Sequence, residues 1–285
     1  MISLEQGALA SGSAEPAVMC RTNNMLSPVW DLIKKTMVIG ELEVRKIRHD
    51  RMSLVSRAVQ PVLWMLIFGQ VFNKTRIIPT GDLGYIDFMT PGILAQSVLF
   101  ISIFNGISVI WERDLGIIHK LLVSPAPRAA LVMGKGISGG VRSFVQVVFV
   151  LILALLLGVR LNFNPLALAG MILMVMLGAS LFSTFSLIIA CIVKTRERFM
   201  GIGQVLTMPL FFASNAIYPI SIMPGWLQVV SRINPLTYLV EALRTLMLPG
   251  SQISFQGLGM DIAVLLGIQI VLIAIAARFY PKLAI

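Results

Sequence analysis

Charge is what this sequence has least of. Only 13% of its 285 residues are charged, against roughly 25% in a soluble domain. The charges are also clustered, which leaves uncharged runs as long as the roughly 20 apolar residues a bilayer span needs. A soluble globular domain is excluded. Cysteine is almost missing: Cys20 and Cys191 are the only two, so there is no disulfide framework. Histidine is as rare. His49 and His119 stand apart with no cluster of ligands around them, whereas a zinc site draws on three or four. No Ser/His/Asp or Cys/His constellation can be assembled, which excludes an intramembrane enzyme. A phosphate-cradling loop of the form G-x-x-x-x-G-K-[ST] is missing too. The nearest candidate, Gly134-Lys135-Gly136, lacks the leading glycine and the following hydroxyl. The chain is expected to be non-catalytic and to bind no cofactor and no metal itself.

What is present is apolar: 57% of the residues are hydrophobic. Six runs stand out, at about 53–72, 88–110, 136–158, 166–193, 199–218 and 262–277. They predict an all-α membrane protein with six transmembrane helices. The first 24 residues are polar and lack the apolar core of a secretory signal. Residues 1–26 are therefore read as a flexible cytoplasmic tail. Ser27-Pro28 supplies an N-cap and a first-turn proline. The mixed basic and apolar stretch 27–52 then reads as an interfacial elbow helix. Residues 53–278 form the transmembrane domain and 279–285 a second cytoplasmic tail. Within the domain, residues 219–256 are semi-apolar and broken by Pro219, Pro224, Pro235 and Pro249. They predict two short re-entrant helices between the fifth and sixth spans. Backbone at such a depth must be covered by protein or line a wet cavity.

Orientation follows from the basic residues. Most of the 23 lysines and arginines lie in the N-terminal region, the stretch 111–142, the loop KTRER and the C-terminus. Only Lys74, Arg76, Arg160, Arg232 and Arg244 fall on the other side. The positive-inside rule places both termini in the cytoplasm of a multi-pass protein of the plasma or inner membrane. The same asymmetry explains the net charge of +10 without nucleic acid as a partner. Membrane lipid is the surrounding partner.

One charged segment interrupts the apolar runs: WERDLGIIHKLLVSPAPR, residues 111–128. Leu115, Ile118 and Leu122 fall at i, i+3 and i+7, a helical stripe with charges around it. Ser124-Pro125 and Pro127 stop it, so the spacing predicts a helix over 112–124. Such a helix either presents its stripe to a groove on a soluble partner or lies on the headgroups. Further on, Gly136 and Gly140 form a small-xxx-small pair suited either to close helix contact or simply to flexibility between helix and loop.

The run E-R-D-x-G-x-x-x-x-L-x-x-S-P at 112–125 and the proline-broken segment YPISIMPGWLQVVSRINPLTYLVEALR at 218–244 resemble the permease subunits of the ABC-2 exporter family. That group includes daunorubicin-resistance and nodulation-factor permeases. The resemblance covers roughly residues 28–277. It implies that 112–125 is a coupling helix docking on a separate ABC ATPase subunit, with ATP and Mg bound there. On this reading Glu112, Arg113, Asp114, Gly116, Leu122, Ser124 and Pro125 are the coupling residues. Asp87, Tyr218, Pro219, Asn234, Pro235, Glu241 and Arg244 are candidates for an outer gate or cargo contact. Glu241 and Arg244 stand at i and i+3, where they can pair; Asp261 also sits near the outer boundary. A second permease copy or a paralogue completes the expected assembly. The implied function is export of a hydrophobic or amphipathic cargo, a drug, lipid or glycolipid. The alternative is a carrier driven by an ion gradient. That mechanism wants ionisable groups in mid-membrane, and the centres of the six expected spans carry none.

Overall fold

The computed structural model describes residues 59–75, 84–116, 128–193, 195–248 and 257–280. The expected elbow helix, the N-terminal tail, residues 281–285 of the C-terminal tail, and Leu122, Ser124 and Pro125 lie outside them. Every described element is helical. Helix α1 (residues 59–75) begins at a buried Pro61 region, widens into a π-helical turn at Trp64–Gly69 and closes as Gln70–Thr75. Helices α2 (Tyr85–Phe104) and α3 (Gly106–Asp114) are joined at Asn105, which keeps right-handed helical angles. Together they make one rod of 30 residues. Helices α4 (Arg128–Leu156), α5 (Pro165–Ile192) and α6 (Arg196–Phe212) follow, then a 3-10 turn at Ile220–Ile222. Two short helices, α7 (Gly225–Ile233) and α8 (Pro235–Met247), precede the last, α9 (Leu258–Phe279).

Four of these helices are long and apolar enough to cross a membrane: Tyr85–Asp114, Leu131–Leu156, Pro165–Ile192 and Leu258–Phe279. The protein is thus an integral membrane protein, all-helical in its described elements. Of the other two expected spans, the first is described only from residue 59. The fifth is α6, whose first turn carries Arg196, Glu197 and Arg198 and whose interior holds Pro209.

The local chemistry accounts for the element starts. Asn164 and Asn234 each accept a hydrogen bond from the backbone N–H two residues on, at 3.0 Å, with proline in the first helical turn. This asparagine–proline pair satisfies one orphan donor and removes another. Inside the helices, Thr90, Ser97, Ser143 and Thr184 donate their hydroxyls to the carbonyl four residues back. A polar side chain in an apolar span is satisfied within its own helix.

Packing builds a core of α2, α5, α8 and α9, centred on Ile93, Leu94, Val98, Leu99, Phe182, Leu239 and Leu265. Close contact is made where side chains are smallest. A methyl on Gly136 or Gly139 of α4 would meet the hydroxyl of Ser180 or Ser183 on α5, and one on Gly178 would meet Leu239 of α8. Gly140 faces Met176 at ordinary van der Waals distance. The expected glycine seam is therefore real, with Gly139 rather than Gly140 at its tight point. A second core, Val109, Ile110, Leu131, Val132, Leu187, Val193, Phe199, Ala276 and Tyr280, closes the opposite end.

Several expected boundaries move. Helix α4 starts at Arg128, eight residues before the apolar run, because its glycines pack against α5 instead of ending the helix. Arg142 consequently lies in mid-helix and half-buried. Tyr280, just past α9, is 1% exposed and seated in the second core. The helix expected over 112–124 is interrupted. Glu112, Arg113 and Asp114 form the last turn of α3, and Gly116 follows at φ +69°. That left-handed conformation at the end of a helix costs glycine nothing and terminates α3.

Candidate functional site

The end of the bundle at Asp114 is held by ionic contacts. Glu112 and Lys135 are 7% exposed each, and the Lys135 ammonium donates to Glu112 Oε1 at 2.6 Å. This joins α3 to the first turns of α4. Beside it, Arg113 Nη1 donates to the carbonyl of Val193 at 3.3 Å, and its other nitrogens reach Asp114 Oδ1. Val193 is the C-cap of α5, so a cation neutralises the carbonyl end of that helix. Arg196, in the first turn of α6, donates to Asp114 Oδ2 at 2.9 Å. Its guanidinium lies 3.4 Å over the ring of Trp111, a cation–π contact. Three other helices thus grip the last turn of α3.

The strengths differ. Glu112–Lys135 is buried beside the apolar second core, and losing one partner there leaves a charge where water cannot compensate it. The Asp114 pairs are more than a third exposed on the carboxylate, and such pairs contribute little individually. Their role is to fix the geometry of the turn from which Gly116 departs. Gly106, a turn and a half earlier, lets Ser186 of α5 and Phe199 of α6 sit against the α3 backbone. The turn is wedged from below as well as pinned from the sides.

The residues expected at the other end separate into two groups. Asp87 Oδ1 accepts from the backbone N–H of Arg160 at 3.3 Å, closing the α4–α5 connection. Tyr218 donates to the carbonyl of Phe212, and Asn234 Nδ2 to that of Leu210 at 2.7 Å. Pro219 caps the 3-10 turn and Pro235 opens α8. These five are tied to backbone closure. Glu241 and Arg244 are different. They are 5% and 2% exposed, not solvated at a boundary. Glu241 Oε1 accepts from Asn215 Nδ2 at 3.0 Å, and Arg244 Nη2 donates to the carbonyl of Asn215 at 2.9 Å. The Arg244 guanidinium also lies 3.9 Å over the ring of Phe88. The i, i+3 pair therefore closes through the turn after α6 and the start of α2. Asp261 is likewise fully buried, in the first turn of α9.

Sequence reasoning missed Lys135, Arg196, Val193, Asn215 and Phe88. The only sequence signal for Lys135 was its isolation in a glycine-rich stretch. Arg196 stood out merely as part of a basic loop. Among the described residues no group of His, Cys, Asp and Glu is arranged to hold a metal.

Fold and site together define a multi-helix membrane protein, pinned by ion pairs at one end and carrying two short helices at the other. The chain belongs to the ABC-2 type transporter family, whose model matches residues 35–248. It is 32% identical over 217 residues, 75% of this chain and 74% of the relative, to the ycf38 transport permease of Cyanophora paradoxa. It is 25% identical over 234 residues, 82% of this chain and 81% of the relative, to the daunorubicin resistance ABC transporter permease protein DrrB1 of Streptomyces coeruleorubidus. It is 27% identical over 199 residues, 67% of this chain and 74% of the relative, to the inner membrane transport permease YadH of Escherichia coli. The chain is thus a membrane permease of the ABC-transporter type, and membership implies an ABC ATPase partner.

Proposed function

We propose that this chain is the transmembrane subunit of an exporter that moves a hydrophobic or amphipathic cargo (a drug, lipid or glycolipid) out of the cytoplasm. ATP and Mg are bound, and ATP is hydrolysed, on a separate subunit. Two permease copies, or this chain and a paralogue, pair with two ATPase subunits. Both termini lie in the cytoplasm, six helices cross the membrane with α1 and α6 among them, and α7–α8 dip into the outer leaflet. The segment beginning at Glu112 receives the ATPase and passes its movement to the bundle.

One observation carries this reading: the last turn of α3 is joined to α4 through Lys135, to α5 through the Val193 carbonyl and to α6 through Arg196. A force on the segment after Gly116 is delivered to four helices at once. A shift between inward-facing and outward-facing states needs contacts that differ between them, and these ionic contacts are suited to exchange.

The test is transport in proteoliposomes containing the chain and its ATPase subunit. Glu112→Lys and Gly116→Trp are expected to leave ATP hydrolysis running while transport per ATP falls about tenfold, a typical coupling free energy. Full transport at a normal hydrolysis rate in both variants would sink the coupling role. An ion-gradient carrier is separated in the same vesicles, since its transport would persist without ATP and collapse with an ionophore.

A further inference from the structure

A cavity of about 240 Å³ lies among α1, α2 and α4, lined by Gln60, Pro61, Gln96, Ser97, Phe100, Ile101, Phe104 and Gln146. Its depth follows from the helix rise of about 1.5 Å per residue. Gln96 to Phe104 is the middle third of the Tyr85–Asp114 rod, and Gln146 is near the centre of Leu131–Leu156. Three amide side chains from three helices therefore meet at mid-membrane. Gln96 and Gln146 are 3% and 4% exposed, and Gln146 Nε2 has no hydrogen-bond partner among the described residues. The hydroxyl of Ser97 is already spent on the carbonyl of Ile93. An unpaired amide in hydrocarbon surroundings is costly, and polar groups held at that depth mark functional sites. Leucine would fill the same volume at no such cost.

We propose that this cavity binds an uncharged, oxygen-bearing group of an amphiphilic ligand, an amide, ester, ether or sugar hydroxyl. The chemistry is specific on three counts. An unpaired N–H donor at Gln146 calls for an acceptor oxygen, and a glutamine amide both donates and accepts. Among the described residues none in the lining is ionisable. Arg142, one turn from Gln146, is not among the lining residues. The apolar wall of Pro61, Ile101, Phe100 and Phe104 receives the adjoining hydrocarbon. Phe100 and Phe104 are half-buried and stacked 6.2 Å apart, so the rest of a long ligand leaves past them. A drug-sized ligand takes about 300–1,000 Å³, so this cavity holds the polar group of a cargo and not the whole of it. Its place in export rests on the transporter reading; the binding does not.

The experiment is photolabelling of the purified chain in phosphatidylcholine nanodiscs. Three probes share one decyl tail with a terminal diazirine: a neutral N-alkyl amide, a quaternary ammonium and a plain alkane. The amide is expected to label the α2 segment around Phe100 and Phe104 about fivefold more than either other probe, the factor a single net hydrogen bond contributes. Excess unlabelled amide removes that signal. Gln146→Leu and, on a different helix, Gln60→Leu bring the amide down to the alkane level, while thermal stability holds or rises. Equal labelling by the three probes overturns the proposal, as does amide labelling that survives both substitutions. Binding of the ATPase subunit is measured on the same sample. Selective amide labelling without ATPase binding leaves this site and removes the exporter reading; the reverse removes only this site.

Discussion

At the scale of single residues, the most consequential contact is Glu112–Lys135. A buried pair is a poor source of net stability but a costly thing to halve. Lys135→Met is therefore expected to lower unfolding stability by about 3–5 kcal/mol, because it leaves Glu112 buried without its Lys135 counter-charge. Glu112→Leu on that background should restore most of the loss, because two apolar side chains of similar volume pack where the ions were. Thermal unfolding of purified protein, run as a double-mutant cycle, measures this. Additive losses would show that the two groups act independently. Restored stability with transport still uncoupled would assign the pair to the mechanism and not to the fold. Asp114 and Arg196, more open to solvent, should tolerate single replacement with changes of about 0–1 kcal/mol.

At the scale of elements, contact is decided by where a helix has no side chain. Gly92 of α2 lies directly against the backbone of Ala216, in the turn after α6, and a methyl there would run into the Ala216 carbonyl and Cα. Because the obstacle is backbone, it has no rotamer by which to move aside. Gly92→Ala is expected to cost about 1–3 kcal/mol, as overpacking does, and to loosen the neighbouring Asn215–Glu241–Arg244 contacts. Gly201→Ala, with nothing within 4 Å of the added methyl, should stabilise α6 by about 0.5–1 kcal/mol. Thermal unfolding of both variants checks the contrast, and equal shifts would defeat it. The same elements show what could be read in advance. The long apolar runs announced the helices crossing the bundle, since length and hydropathy are local properties. The asparagine–proline starts were local too. The ends of α3 and α4 were not. Gly116 and Gly136 look alike in the chain, yet one takes a left-handed angle in open space and the other stays helical against Ser180. Glu112 and Lys135 are 23 residues apart, and only the packing of α4 on α5 brings them together. Glu241 and Arg244 were visible as an i, i+3 pair, but Asn215 and Phe88, which occupy them, are supplied by distant parts of the chain.

At the scale of the whole molecule, the open question of architecture is whether α6 completes a crossing. Its 17 residues span about 26 Å at the helical rise, slightly less than the roughly 30 Å hydrocarbon core, and its first turn is charged. Its two ends nonetheless belong to opposite ends of the bundle. Arg196 pairs with Asp114, while Leu210 and Phe212 are bonded by Asn234 and Tyr218. The helix therefore connects the two ends, and with the buried turn at 213–216 it is expected to complete a crossing. The basic-residue asymmetry predicts a direction: the Asp114 end inside, the Tyr85 end outside. Both statements are checked by single cysteines in a background with Cys20 and Cys191 replaced. A membrane-impermeant maleimide applied to intact cells is expected to label Asn73→Cys, Phe163→Cys and Ser221→Cys, all at exposed positions. Leu115→Cys and Glu197→Cys, also exposed, should label only after permeabilisation. If Ser221→Cys behaves like Glu197→Cys, α6 does not cross, and the short helices α7 and α8 belong to the inner side. If the two sets exchange, the orientation is reversed and no ATPase in the cytoplasm can reach Glu112. Only labelling on both sides as stated leaves the pinned turn of α3 where a soluble motor can act on it.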